Sequence, residues 1–211
     1  MNAILRQALS IQPQEAPQAP ALSDLIPARA RALGCIDFED YCDLIDREAT
    51  AHLSGANLVR ISRLRQQRRP RAFFDRNYGL HGLSVCLNRN RTMFAKVDAA
   101  DWIEMQEMGA NGLWQGLDTF YGIYVYTALP LKRQAATEKV PTARLILDLK
   151  PHEQVRFLDG DPLNLRRYNL AVSEQSSIGR PARHDARQVA QEAAAHRTEM
   201  VSSRRTFDAL R

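Results

Sequence analysis

Residues Val155 to Val172 read Val-Arg-Phe-Leu-Asp-Gly-Asp-Pro-Leu-Asn-Leu-Arg-Arg-Tyr-Asn-Leu-Ala-Val, an alternating run followed by a turn and a basic segment. Val155 and Phe157 alternate with polar neighbours, as a half-buried strand does. Asp159-Gly160-Asp161-Pro162 is turn chemistry, with glycine free to take the positive φ that a chain reversal needs. Asn164 is then placed to cap a helical turn on which Leu165 and Asn169 share one face while Arg166 and Arg167 project outward. The spacing predicts a strand, a turn and a short basic helix in immediate succession.

That succession resembles the core of the HNH endonucleases. Their ββα unit reads valine, aspartate, histidine, a hydrophobic residue, aspartate, glycine, asparagine or aspartate, then leucine, aspartate, asparagine, arginine and a closing asparagine-leucine. Val155, Leu158, Asp159, Gly160, Asp161, Leu163, Arg166, Arg167, Asn169 and Leu170 fall on matching positions without a gap. The family's histidine, a general base for the attacking water, aligns with Phe157, which accepts no proton. The acidic residue before it, which can hold the metal, aligns with Arg156, and the middle asparagine is Leu165. Upstream, Thr142-Ala143-Arg144-Leu145-Ile146-Leu147 keeps the arginine and apolar run of the family's leucine-histidine-arginine helix, with Ala143 at the histidine position. Two histidines and one acid are missing together, so the resemblance implies a scaffold kept without hydrolysis. No catalytic residue, metal ligand or cofactor is expected. The remaining groups near the unit that could rebuild a metal site are His81, His152, Asp148, Asp159 and Asp161, and His152 reads as an exposed turn residue.

The chain of 211 residues is 45% hydrophobic and 25% charged, a balance that fits a packed globular protein and not a disordered one. Its net charge of +5 is carried mainly by arginine, whose fork suits phosphate and guanine, so the composition favours nucleic acid over a membrane surface. Cys35, Cys42 and Cys86 form no CxxC pair and read as buried thiols. No apolar run approaches the roughly 20 residues of a membrane helix. Met1 to Leu9 lacks a secretory signal's apolar core and cleavage site, so the cytoplasm is the expected location.

The N-terminal residues 1–30, rich in glutamine and proline, are expected to form a disordered arm. From Asp37, placed to cap, Phe38, Tyr41, Cys42 and Ile45 recur at helical spacing, with Glu39, Asp40, Asp43 and Asp46 on an acidic outer face. Ser54-Gly55-Ala56-Asn57 breaks this helix. A second one carries Leu58, Ile61 and Leu64 inward with Arg60, Arg63, Arg65, Arg68 and Arg69 around the rest, and Pro70 closes it. Two helices about a glycine-bearing turn, the second basic, read as a helix-turn-helix or as a packed helical hairpin.

Beyond Arg71 the period becomes two. Leu83, Val85 and Leu87, a turn at Asn88-Arg89-Asn90, then Met93, Ala95 and Val97 predict a hairpin, and Asp98 is placed to cap a helix through Trp102, Ile103 and Met105. The run Met93 to Trp102, followed by Trp114 and Tyr121-Gly122-Ile123-Tyr124-Val125-Tyr126, resembles the segment before the ββα core in HNH proteins with a small Apetala-type DNA-binding sheet. That resemblance implies DNA contacts by Arg89, Arg91, Lys96, Tyr124, Tyr126 and Arg133. Arg144, Arg156, Arg166 and Arg167 join them as candidates from the core unit. Lys132 to Pro141 reads as a polar loop, and Ala182 to Leu210 as a long helix that docks weakly or pairs with a second copy.

The expected fold class is α+β: an N-terminal helical hairpin over 31–71, a small antiparallel sheet with the HNH-like ββα unit over 72–175, and a C-terminal helical extension over 176–211. The function that follows is a DNA-binding regulator or accessory factor of a phage or mobile element on an inactive HNH-like scaffold. Its partners are double-stranded DNA and a second copy of itself, with no membrane and no small-molecule substrate. The alternatives are a metal-dependent endonuclease with a shifted site and a protein-interaction module.

Overall fold

The computed structural model describes residues 20–110, 113–119, 122–130 and 137–174, and the expected C-terminal helix lies outside them. The described residues form an α+β fold of five helices and three small antiparallel sheets. Order begins earlier than the composition suggests. A 3-10 turn at Leu22–Leu25 and helix α1 (Ala28–Ala32) bring Ile26 and Ala30 to burial. The expected disorder as far as residue 30 therefore gives way to structure from Ala21, because these two apolar side chains fill the core. Arg29 then ties α1 to Glu48 and Glu107.

Helix α2 (Phe38–Thr50) starts at Asp37, whose carboxylate accepts the Asp40 amide at 2.9 Å as the spacing predicts. Phe38 and Tyr41 pack on Trp102 of helix α4 (Ala99–Glu107), with ring centroids 5.6 and 6.3 Å apart. One hydrophobic cluster consequently runs from Ile26 to Leu170, shared by the helices and the sheets.

Helix α3 (Gly55–Gln67) ends before Pro70 and packs on α2, but Leu58 is exposed and Ile61 and Leu64 are only half-buried. Arginines make the contact instead. Arg65 is buried against Asp46 at 2.6 Å, and Arg69 reaches Glu39, Asp43 and Asp46, so the acidic face of α2 is partly closed by its neighbour and is not a solvated surface. Arg68 is buried with no carboxylate partner among the described residues and donates to the carbonyls of Cys86 and Trp114. Burial pushes its guanidinium below the usual range.

The first sheet has the order β1 (Arg71–Asp75), β2 (Leu80–Cys86), β3 (Phe94–Asp98). Leu83 sits opposite Val97 and Val85 opposite Ala95, all four buried, so the alternation sets the register. At the β2–β3 turn the Asn88 side chain accepts the Thr92 and Met93 amides. The second sheet comprises β4 (Gln115–Thr119), β5 (Gly122–Pro130) and β6 (Thr137–Pro141). The segment expected as a loop up to Pro141 thus ends in a strand, anchored by buried Val140 opposite Thr127. Helix α5 (Thr142–Ile146) is buried along its length and leads to the third sheet, β7 (Glu153–Phe157) paired with β8 (Leu170–Glu174).

Replacing Arg68 with alanine leaves the Cys86 and Trp114 carbonyls without their donor. We expect about 2–4 kcal/mol of lost stability in urea unfolding, from two buried acceptors at roughly 1–3 kcal/mol each. A loss below about 0.5 kcal/mol contradicts this role for the arginine.

Candidate functional site

The chain between β7 and β8 carries the motif, and its own polar side chains hold its shape. Gly160 takes φ of 77°, the left-handed conformation the turn requires. The Asp159 carboxylate accepts the Asp161 amide and the Asn164 side chain, each at 2.7 Å. Burial pushes this carboxyl up, but the hydrogen bonds from Asn164 and Asp161 outweigh it and hold it below its usual range. Asn169 closes the loop, accepting the Asp159 amide at 2.8 Å and donating to the Asn164 carbonyl at 2.8 Å.

This loop covers the free edge of β3. The Lys96 amide donates to the Leu163 carbonyl at 2.8 Å, and the Leu165 amide donates to the Lys96 carbonyl at 2.7 Å. The next residue turns inward. Arg166 is 1% exposed, its Nε donating to Asp98 and its Nη1 to Asp75 at 3.0 Å. The expected basic helix is reduced to a 3-10 turn, Arg167–Asn169, and Asn164 does not cap it. Arg166 is directed inward because two carboxylates wait there, and a paired guanidinium is far cheaper to bury than an unpaired carboxylate pair.

Asp98 precedes α4 as expected but forms no side-chain cap. Its second oxygen accepts the Arg167 amide at 3.0 Å, so both oxygens serve the loop. The Arg167 side chain is 55% exposed yet pairs with buried Asp101 at 2.6 Å. Burial pushes the Asp101 carboxyl up to about 6, against the lowering effect of Arg167.

At the positions where the resemblance places chemistry, the geometry is apolar or exposed. Phe157 is half-buried, its ring centroid 6.0 Å from that of Tyr124 on β5. Ala143 and Leu165 lie in the core, and Arg156 is exposed on β7. His152 is exposed, and His81 is half-buried with its ring 5.1 Å from Phe74. Among the described residues, no group of three or more His, Cys, Asp or Glu side chains is placed to hold a metal ion.

The sequence-predicted cations fall into two sets. Arg65, Arg68, Arg69, Arg144, Arg166 and Arg167 are engaged internally, Arg144 being buried and donating to the Glu153 and Lys150 carbonyls at 2.6 and 2.7 Å. Arg60, Arg63, Arg89, Arg91, Lys96 and Arg156 are exposed, while Tyr124 and Tyr126 are half-buried. Arg133 lies outside the described residues. One cation escaped the pattern: Arg71, exposed at the start of β1, is in register with Ser84, and Ser84 with Lys96. These three form a row across the sheet face opposite Leu83 and Val85. The run Arg-Ala-Phe-Phe-Asp lacks the alternation that marks a strand, so Arg71 had no face to be assigned to. No protein-family model, curated protein or solved structure matches the chain.

Arg166→Ala strands Asp75 and Asp98 and is expected to cost about 3–5 kcal/mol in urea unfolding, against under about 0.5 kcal/mol for exposed Arg156→Ala. Equal effects of the two changes contradict the inward placement. Asp101 yields a pH signature. Its folded pKa near 6 exceeds the unfolded value, so its contribution to stability is fully present below about pH 4 and lost as pH rises through about 6. Relative to Asp101→Asn, the wild type should lose roughly 2 kcal/mol between pH 4 and 7, and parallel stability profiles would reject the shift.

Proposed function

We propose that the chain is a double-stranded DNA-binding protein that grips phosphates without hydrolysing them, acting as a regulator or accessory factor of a phage or mobile element. The observation that carries this reading is the row Arg71–Ser84–Lys96 on the outer face of the first sheet, with both cations exposed and no ion pair to either among the described residues. Arg89 and Arg91 extend the same edge at the β2–β3 turn, also exposed. A row of cations at strand spacing of about 4.8 Å suits successive phosphates, and a hydroxyl between them adds a neutral donor. The absence of hydrolysis is supported by Phe157, whose ring packs toward Tyr124 where the HNH-like resemblance places a proton acceptor. Helix α3 contributes Arg60 and Arg63 as a second contact, its other arginines being spent on α2 and the backbone.

Fluorescence anisotropy with a labelled 20-base-pair duplex, titrated at several salt concentrations, tests this directly. Each phosphate contact contributes about −0.9 to the slope of log affinity against log salt. The double variant R71A/K96A should flatten the wild-type slope by roughly 2 while its unfolding midpoint stays unchanged. A slope unaltered by the double change rejects the sheet face, and a wild type with no duplex affinity rejects the function.

A further inference from the structure

Rings and one guanidinium follow one another from the first sheet to the surface. Gly82 on β2 lies opposite Phe73 on β1, and a Cβ added to it would come within 2.5 Å of the Phe73 ring, so the ring rests on bare backbone. The Arg166 guanidinium carbon is 5.6 Å from the Phe73 centroid and 5.3 Å from that of Tyr168. Tyr168 in turn stacks on Tyr78, centroids 3.9 Å apart and planes 7° from parallel. The succession ends in the β1–β2 turn at Tyr78, which is 52% exposed, beside Tyr168 at 39%.

Surface tyrosines are usually free to change rotamer, and ordering them costs entropy when a ligand arrives. Here that ordering is already done. Arg166 is fixed by Asp75 and Asp98, Tyr168 lies over it, and Tyr78 lies on Tyr168. The parallel geometry suits another flat ring and gives no pocket for a branched aliphatic chain. The charge around it selects further: Arg71 and Arg76 are exposed, whereas the acid of this segment, Asp75, is occupied by Arg166 and the Asn77 amide.

We infer that the exposed Tyr78–Tyr168 stack is a landing site for an unpaired nucleobase, with Arg76 beside it to meet the flanking phosphate. This rests on the nucleic-acid reading above and adds to it a preference for DNA carrying an extrahelical base or a single-stranded flank. Stacking on an aromatic platform is tolerant of base identity, so the site senses unpairing and not sequence.

The test compares two labelled 20-base-pair duplexes, one fully paired and one with a single bulged 2-aminopurine, against the full chain and its Tyr78→Ala and Tyr78→Trp variants. The bulged duplex should bind roughly tenfold tighter than the paired one, with its 2-aminopurine fluorescence changed on binding. Tyr78→Ala should remove both effects and leave paired-duplex affinity and the unfolding midpoint as they are, while Tyr78→Trp, which keeps a stacking surface, should retain the preference. Equal affinity for the two duplexes, with the bulge fluorescence unmoved, overturns the stacking site while leaving duplex binding intact. No binding to either duplex overturns both readings. A concentration-dependent self-association abolished by Tyr78→Ala, without any bulge preference, assigns the stack to contact with a second copy and likewise overturns the inference.

Discussion

A guanidinium buried to 1% exposure dictates how the parts of this molecule meet. Arg166 can stay there only because Asp75, at the end of β1, and Asp98, at the junction of β3 and α4, bring carboxylates from opposite sides. Delivering that side chain requires the β7–β8 connection to lie along β3, and the paired backbone of Lys96 with Leu163 and Leu165 holds it there. The third sheet, the first sheet and α4 are thereby fixed to each other by one residue. Asn169 and Asp159 bend the loop so that Arg166 arrives in register.

This division of labour explains which parts of the HNH-like pattern the chain carries. Asp159, Gly160, Arg166, Arg167 and Asn169 each have a mechanical task that does not involve a substrate: a turn, a loop closure or an ion pair. The positions that the resemblance associates with proton transfer and metal holding carry Phe157, Arg156 and Ala143. A loop can therefore be kept for its architecture under different demands from those that keep a catalytic group, since function belongs to sites grafted on folds. The arginines divide in the same way. Those on α3 that face α2 and the sheets are structural, and those on the outer face of the first sheet stay available to solvent.

Much of the framework was legible in the sequence because its signals are local. The Leu83–Val85 and Ala95–Val97 alternation sets a hairpin, Asp37 caps α2 three residues from the amide it accepts, and Asp159-Gly160 forces a turn. What escaped depends on partners far apart in the chain. Arg166 reads as an outward residue of a basic helix until Asp75 and Asp98, distant in sequence, are brought beside it by tertiary structure. The α3 arginines did leave a trace: Arg65 and Arg69 repeat at four residues, and Glu39, Asp43 and Asp46 on α2 repeat at matching intervals, a complementarity between two helices joined by a short turn. Strand β1 gave no such trace, because its burial comes from Arg166 lying over Phe73 and not from an apolar face of its own.

The central claim is that this scaffold holds duplex DNA and leaves it intact. Incubating the full chain with a supercoiled plasmid in magnesium or manganese, and resolving bound and free DNA before and after protein removal, measures both halves in one sample. The account predicts retarded plasmid that returns to fully supercoiled DNA once the protein is stripped. Nicked or linear product, lost on His152→Ala, would contradict it by restoring catalysis; plasmid that is never retarded at low salt would contradict it by removing the grip.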